Sequence, residues 1–99
     1  MAKLMSKKTE EGIKRIVFRF LNPSEYKVFI FGSRIAGKAK KYSDYDIGII
    51  GEKPVPWRIL SLIEEALEES DLPYKVDVVD FSLVSSNFRK VALSRIKNL

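Results

Sequence analysis

The spacing of hydrophobic positions changes several times along this chain, and each change predicts an element. From about Thr9 to Phe20, the residues Ile13, Ile16, Val17 and Phe20 recur at helical spacing, giving a first helix one apolar face. Thr9 or Ser6 can cap its start, and Glu10 and Glu11 complement the positive end of its dipole. Leu21-Asn22-Pro23 ends it, since the residue before a proline is driven out of the α region. Tyr26 to Phe31, YKVFIF, is β-branched and aromatic with little alternation, the pattern of a central strand covered on both faces. After Gly32, Ser33-Arg34-Ile35-Ala36 begins a short helix that Gly37 stops.

Tyr45 to Ile50, YDIGII, is the second strand, closed by Gly51 and the Pro54-Val55-Pro56 break. Leu60, Ile63, Ala66 and Leu67 then predict an amphipathic helix from Trp57 to about Ser70, with Glu64, Glu65, Glu68 and Glu69 on its solvated face. Trp57 reads as an anchor at the helix start rather than a platform for a base. Leu72-Pro73 punctuates again, and Tyr74 to Phe81, YKVDVVDF, is a third strand. Ser85 or Ser86 caps a last helix through about Lys97, burying Phe88, Val91, Ala92 and Ile96, with Arg95 and Lys97 suited to its C-terminal end.

The order α-β-(short α)-β-α-β-α predicts a mixed α/β domain with at least three strands, a single domain over residues 1–99. The connection from Arg34 to Ser43 is short for a parallel crossover, which needs about a dozen residues, so strands one and two should form a hairpin-like pair. The helix at 57–70 is long enough to carry a crossover to strand three. Periodicity goes no further on topology.

Composition narrows the chemistry more than the fold. At 45% hydrophobic and 31% charged, the chain is a globular one with enough apolar surface for a core. It has no apolar run near the roughly 18 residues of a membrane span, and its basic N-terminus lacks the apolar stretch of a signal peptide, so a cytoplasmic location is expected. It contains neither cysteine nor histidine. That excludes disulfides, thiolate nucleophiles, the usual zinc ligands and a Ser-His triad. Any reaction must run on carboxylates, hydroxyls, Lys, Arg and oxygen-bound metal. The net charge of +5 invites a nucleic-acid reading. The thirteen acids are interspersed among the eighteen bases, however, and only Lys38, Lys40 and Lys41 form a tight cluster. Direct nucleic-acid binding is not expected.

That cluster stands just before Asp44 and Asp46. Strand residues two apart share a face, so the two carboxylates project side by side and repel unless a cation sits between them. A divalent metal removes the penalty. Singly, a Gly-Ser at a strand end, a DxD pair or a few loop lysines mark ordinary turns and solvated charges. Asp77, an acid inside an apolar strand, is more telling, because burying an unpaired carboxylate costs several kcal/mol. Together the pieces form a phosphate site. Gly32 lets backbone approach a polyphosphate, Ser33 donates a hydroxyl, and Arg34, Lys38 and Lys41 add positive charge. Asp44 and Asp46 can hold Mg²⁺, and Asp77 can complete a second metal site and take the proton of an attacking hydroxyl. Tyr45 faces away from the metals. Asp80 lies on the opposite strand face from Asp77, where it is expected to cap the next turn.

Gly32-Ser33, ten intervening residues, then Asp44-x-Asp46, with a later acid in an apolar strand, resembles the nucleotidyltransferase superfamily related to DNA polymerase β. The fuller pattern is met by Gly32, Ser33, Arg34, Gly37, Ser43, Asp44, Asp46 and Ile47, and with the small size it resembles the minimal nucleotidyltransferase (MNT) family. One departure is Ala36, where many relatives carry a second basic residue. The resemblance implies a mostly antiparallel mixed sheet flanked by helices. It also implies Asp44, Asp46 and Asp77 as catalytic metal ligands, a nucleotide site at Gly32, Ser33, Arg34, Lys38, Lys41 and Ser43, two Mg²⁺ ions, and transfer of AMP from ATP to a hydroxyl with release of pyrophosphate. Many minimal members pair with a small helical HEPN-domain toxin and act as its antitoxin by modifying a toxin tyrosine with AMP.

Two other functions compete. The chain can keep the fold and neutralise its partner by docking alone, with little or no catalysis. Transfer to a small molecule ranks lowest, since relatives with that activity add a helical domain to shape the acceptor site. A sheet this small leaves little surface to enclose an acceptor, so the acceptor should bring its own. Homo- and hetero-oligomers are both open.

Overall fold

The structure is a computed structural model that describes residues 7–32, 45–72, 74–93 and 96–99. Its elements run α1 (Lys7–Val17), β1 (Tyr26–Phe31), β2 (Tyr45–Gly51), α2 (Trp57–Glu68), β3 (Val76–Asp80), α3 (Ser86–Ala92) and β4 (Lys97–Asn98). The strands form one sheet in the order β3-β2-β1-β4. β1 is antiparallel to both β2 and β4, and β2 is parallel to β3 across the α2 connection. The expected hairpin, crossover and mostly antiparallel mixed sheet are therefore all present.

Each strand sorts its side chains to two faces. Val28, Ile30, Tyr45, Ile47 and Ile49 pack against Ile13 and Val17 of α1 and Ile63 and Leu67 of α2, forming the larger core. On the other face Phe29, Phe31 and Phe81 form a second cluster, edged by Val79, Val84 and Ala92. β1 is thus covered on both sides, which explains why its sequence does not alternate. Tyr45, between the two acids, is fully buried in the larger core and its ring meets Tyr74 edge-on. Gly48 faces the aromatic cluster, and a side chain there would overlap the Phe29 and Phe81 rings. The strand runs directly under those rings because it carries no Cβ at that point.

The connections follow from local chemistry. Asn22 Oδ1 accepts hydrogen bonds from the Ser24 N–H (2.9 Å) and hydroxyl (2.8 Å), shaping the turn between α1 and β1. Ser85 Oγ accepts from the Phe88 N–H at 3.2 Å, the expected cap of α3. Thr9 lies inside α1, buried, and so is not its cap; Ser6 lies outside the described residues.

Three expectations are corrected. The last helix stops at Ala92 instead of running to Lys97, and Lys97–Asn98 becomes β4, opposite Ile30 and Phe29. Unpaired backbone along β1 outweighs the helical periodicity of that short segment, and the Leu99 N–H donates to the Val28 carbonyl at 2.9 Å. Lys97 also forms an ion pair of 2.8 Å with Glu10 of α1, tying β4 down. Phe88, read as buried, is 46% exposed, because one edge of its ring covers Phe31 and Phe81 while the other faces solvent. Trp57 starts α2 but anchors nothing: it is 73% exposed beside the Arg58 guanidinium, while Val55 fills the adjoining core position. Among the described residues no helix is long and apolar enough to cross a membrane.

Candidate active site

The site lies on the sheet face opposite α1 and α2. Reading across the register, Phe31 of β1 stands opposite Asp46 of β2, and Asp46 stands opposite Asp77 of β3. Directly opposed residues on neighbouring strands share a face, so Asp46 and Asp77 point the same way from adjacent strands, with the aromatic cluster beside them. Had Asp77 occupied the next register position, it would have faced the helices.

Gly32 closes the site from above. It follows β1 with φ of 85°, a left-handed conformation that side chains rarely adopt, and a Cβ there would run into the Asp46 carboxylate. The glycine is required twice over, by its backbone angle and by the acid packed against it. The strand-end glycine and the second acid of the pair are therefore direct neighbours in space, although they are fourteen residues apart in sequence. Ser33, Arg34, Gly37, Lys38, Lys40, Lys41, Ser43 and Asp44 lie outside the described residues.

The two acids of β3 divide as expected. Asp77 is partly open to solvent, with its carboxylate 3.9 Å from the Lys75 ammonium. Asp80 is buried on the other face and fully engaged. Its Oδ2 accepts from the Val55 N–H at 2.7 Å, and its Oδ1 accepts from the Ser82 N–H (3.0 Å) and hydroxyl (2.7 Å). Asp80 holds the chain entering α2 and the turn leaving β3, on the face away from Asp46 and Asp77. Lys75 escaped the sequence reading, though the signal was there: it precedes Asp77 by two strand positions and so shares its face.

Asp46 and Asp77 are all-oxygen donors on one face at neighbouring positions, a set that suits a hard divalent cation holding phosphates and water as further ligands. Among the described residues no group of three or more acids gathers tightly enough to hold a metal alone. A pair of carboxylates that leaves coordination positions to a substrate is what magnesium takes in phosphoryl-transfer sites.

An open sheet face carrying opposed carboxylates beside a glycine corner is consistent with phosphoryl-transfer chemistry, and the chain belongs to the polymerase beta nucleotidyltransferase family, whose model matches residues 13–99. It is 43% identical over 90 residues to the probable protein adenylyltransferase MntA of Haemophilus influenzae, covering 91% of this chain and 78% of that one. Among solved structures, the fold is similar to a complex of tri-AMPylated HEPN toxin with MNT antitoxin from Shewanella oneidensis. The TM-score is 0.63 at 21% identity, covering 95% of this chain and 71% of that one. A toxin–antitoxin structure with AMP-PNP gives a TM-score of 0.61 at 22% identity, over 89% of this chain and 70% of that one.

Proposed function

We propose that this chain transfers AMP from ATP to a hydroxyl group of a protein partner, a tyrosine of a HEPN-type toxin, and so serves as the antitoxin of the pair. The observation that carries the reading is the register of Asp46 opposite Asp77 beside the Gly32 corner. The 43% identity to a probable protein adenylyltransferase gives the reaction class its strongest support.

Each residue then has a task. The Gly32 corner brings main chain against the triphosphate without an intervening side chain. Ser33, Arg34, Lys38, Lys41 and Ser43 supply donors and positive charge to the phosphates. Asp44, Asp46 and Asp77 would hold magnesium, which when bound offsets the charge that builds on the phosphate oxygens. Asp77, on the edge strand β3, would accept the proton of the incoming hydroxyl. The acceptor oxygen forms a bond to the α-phosphorus, the bond from that phosphorus to the β-phosphate bridging oxygen breaks, and pyrophosphate leaves with the electron pair. The proton passes from the hydroxyl to the Asp77 carboxylate.

The test is transfer of label from α-labelled ATP to a purified HEPN-type partner, with magnesium and with chelator. Label on a partner tyrosine is expected, lost in Asp46→Asn and Asp77→Asn by at least about 10²-fold. Labelling that survives both substitutions would overturn the assignment. Neutralisation of a partner that carries no label would favour docking without catalysis.

A further inference from the structure

The outer edge of β3 is an open strand edge beside the site. Its hydrogen-bonding phase is fixed by two bonds, from the Tyr45 N–H to the Lys75 carbonyl and from the Phe81 N–H to the Ile49 carbonyl, each 2.9 Å. In a parallel ladder with Asp46 opposite Asp77, these place the odd-numbered residues of β3 in bonds to β2. Val76 and Val78 therefore turn their N–H and C=O groups outward, and among the described residues no strand pairs with them. A groove of about 710 Å³ runs along this edge, between Glu64, Leu67 and Glu68 of α2 on one side and Val76, Asp77 and Val78 on the other.

The groove is acidic in a basic protein. Its charged lining is Glu64, Glu68 and Asp77 against one base, Lys75, in a chain whose net charge is +5. Glu68 and Glu69 also sit at the C-terminal end of α2, where acids oppose the helix dipole. Open backbone, an apolar floor and carboxylates along the rim together describe the seat of an extended chain. Glu64 and Glu68 on the rim favour a basic occupant over a second copy of this chain, whose own α2 would bring the same glutamates to the groove.

Resting on the adenylyltransferase reading above, we infer that the acceptor segment docks by strand addition to the outer edge of β3, as an extended basic stretch with its reactive hydroxyl in alternate register. Side chains of an added strand alternate between the two faces. Those on the helix side meet Glu64 and Glu68, which selects lysine or arginine there. Those on the other side stand next to Asp77, about 4.5–5.5 Å away between Cβ atoms. A long side chain such as tyrosine reaches from that position across Asp77 toward Asp46, whereas serine or threonine does not. The groove thus accounts both for partner recognition and for the choice of hydroxyl.

The probe is an eight-residue peptide alternating lysine with threonine, with one central threonine replaced by tyrosine. It is compared with a version carrying glutamate for lysine and with one N-methylated along the pairing edge. Amide hydrogen exchange by NMR, tyrosine labelling from ATP, and ATP affinity by calorimetry are measured separately. The lysine peptide is expected to slow exchange at the Val76 and Val78 amides at least tenfold and to be labelled at least tenfold faster than the glutamate peptide. Glu64→Lys/Glu68→Lys, both exposed, is expected to reverse that preference with ATP affinity unchanged, and N-methylation to abolish the protection. Labelling that is indifferent to peptide charge and to the double variant, or protection away from β3, overturns the docking inference alone. Failure of the unaltered chain to bind ATP at all overturns the adenylyltransferase reading and the inference with it.

Discussion

Asp77 and Asp80 show how three residues of spacing in one strand separate two chemistries. Both are aspartates in the sequence VDVVD, but the odd offset sends one to the open face and the other into the core side. Opposite outcomes follow from replacing them. Asp80→Ala strands the buried Val55 N–H and frees the Ser82 turn, so it should cost about 1–3 kcal/mol in urea unfolding while transfer by the folded fraction persists. Asp77→Asn removes a partly exposed charge whose ion pair with Lys75 spans 3.9 Å, so stability should stay within about 0.5 kcal/mol while transfer is lost. Gly32→Ala combines both effects. The left-handed backbone alone costs about 1–2 kcal/mol for a residue with a Cβ, and the methyl group displaces the Asp46 carboxylate. Reduced stability together with an ATP affinity lowered at least tenfold is expected from denaturation and calorimetry on the same sample.

At the scale of elements, the weakest piece is β4, two residues held by a short pairing to β1 and by Lys97 against Glu10. Lys97 is about half exposed, so the pair is worth under about 1 kcal/mol and should fade with salt. Lys97→Met is therefore expected to lower the unfolding midpoint slightly at low ionic strength and hardly at all in 0.5 M salt, with equal losses at both salts arguing for packing instead. β4 is also where the sequence is least legible. Ile96 and Lys97 continue a plausible helical face, and only the unpaired edge of β1, a partner distant in sequence, decides otherwise. β1, β2, α2 and the core of β3 are readable because their patterns are set locally, by uninterrupted apolar runs or by a stripe at helical spacing bounded by proline or glycine. Phe88 and Trp57 fail for a related reason: aromatic residues at element starts signal burial on average, and neither face was known until neighbouring elements were placed. The site divides in the same way. The shared face of Asp46 and Asp77 needed a register, yet the parity of each strand already limited it to two outcomes.

The whole molecule sets a test that no single contact does. With a net charge of +5, the chain attracts any polyanion, and weak general binding of ATP would say little about the site. Specific binding should instead couple to folding through the metal. A ligand at 100 times its dissociation constant stabilises the folded state by about 2.7 kcal/mol, and for a domain of this size each kcal/mol moves the melting temperature by about 4–8 °C. ATP with magnesium is thus expected to raise the melting temperature by roughly 10–20 °C in a thermal-shift measurement. Chelator, Asp46→Asn or Asp77→Asn should each remove more than half of that rise, because carboxylate and phosphate oxygens then face each other without a shared cation. General attraction has a different signature: a rise of similar size with inorganic triphosphate, insensitive to chelator and erased by moderate salt through screening. A shift of that second kind in the unaltered chain would leave a basic surface in place of the metal-dependent nucleotide site proposed above.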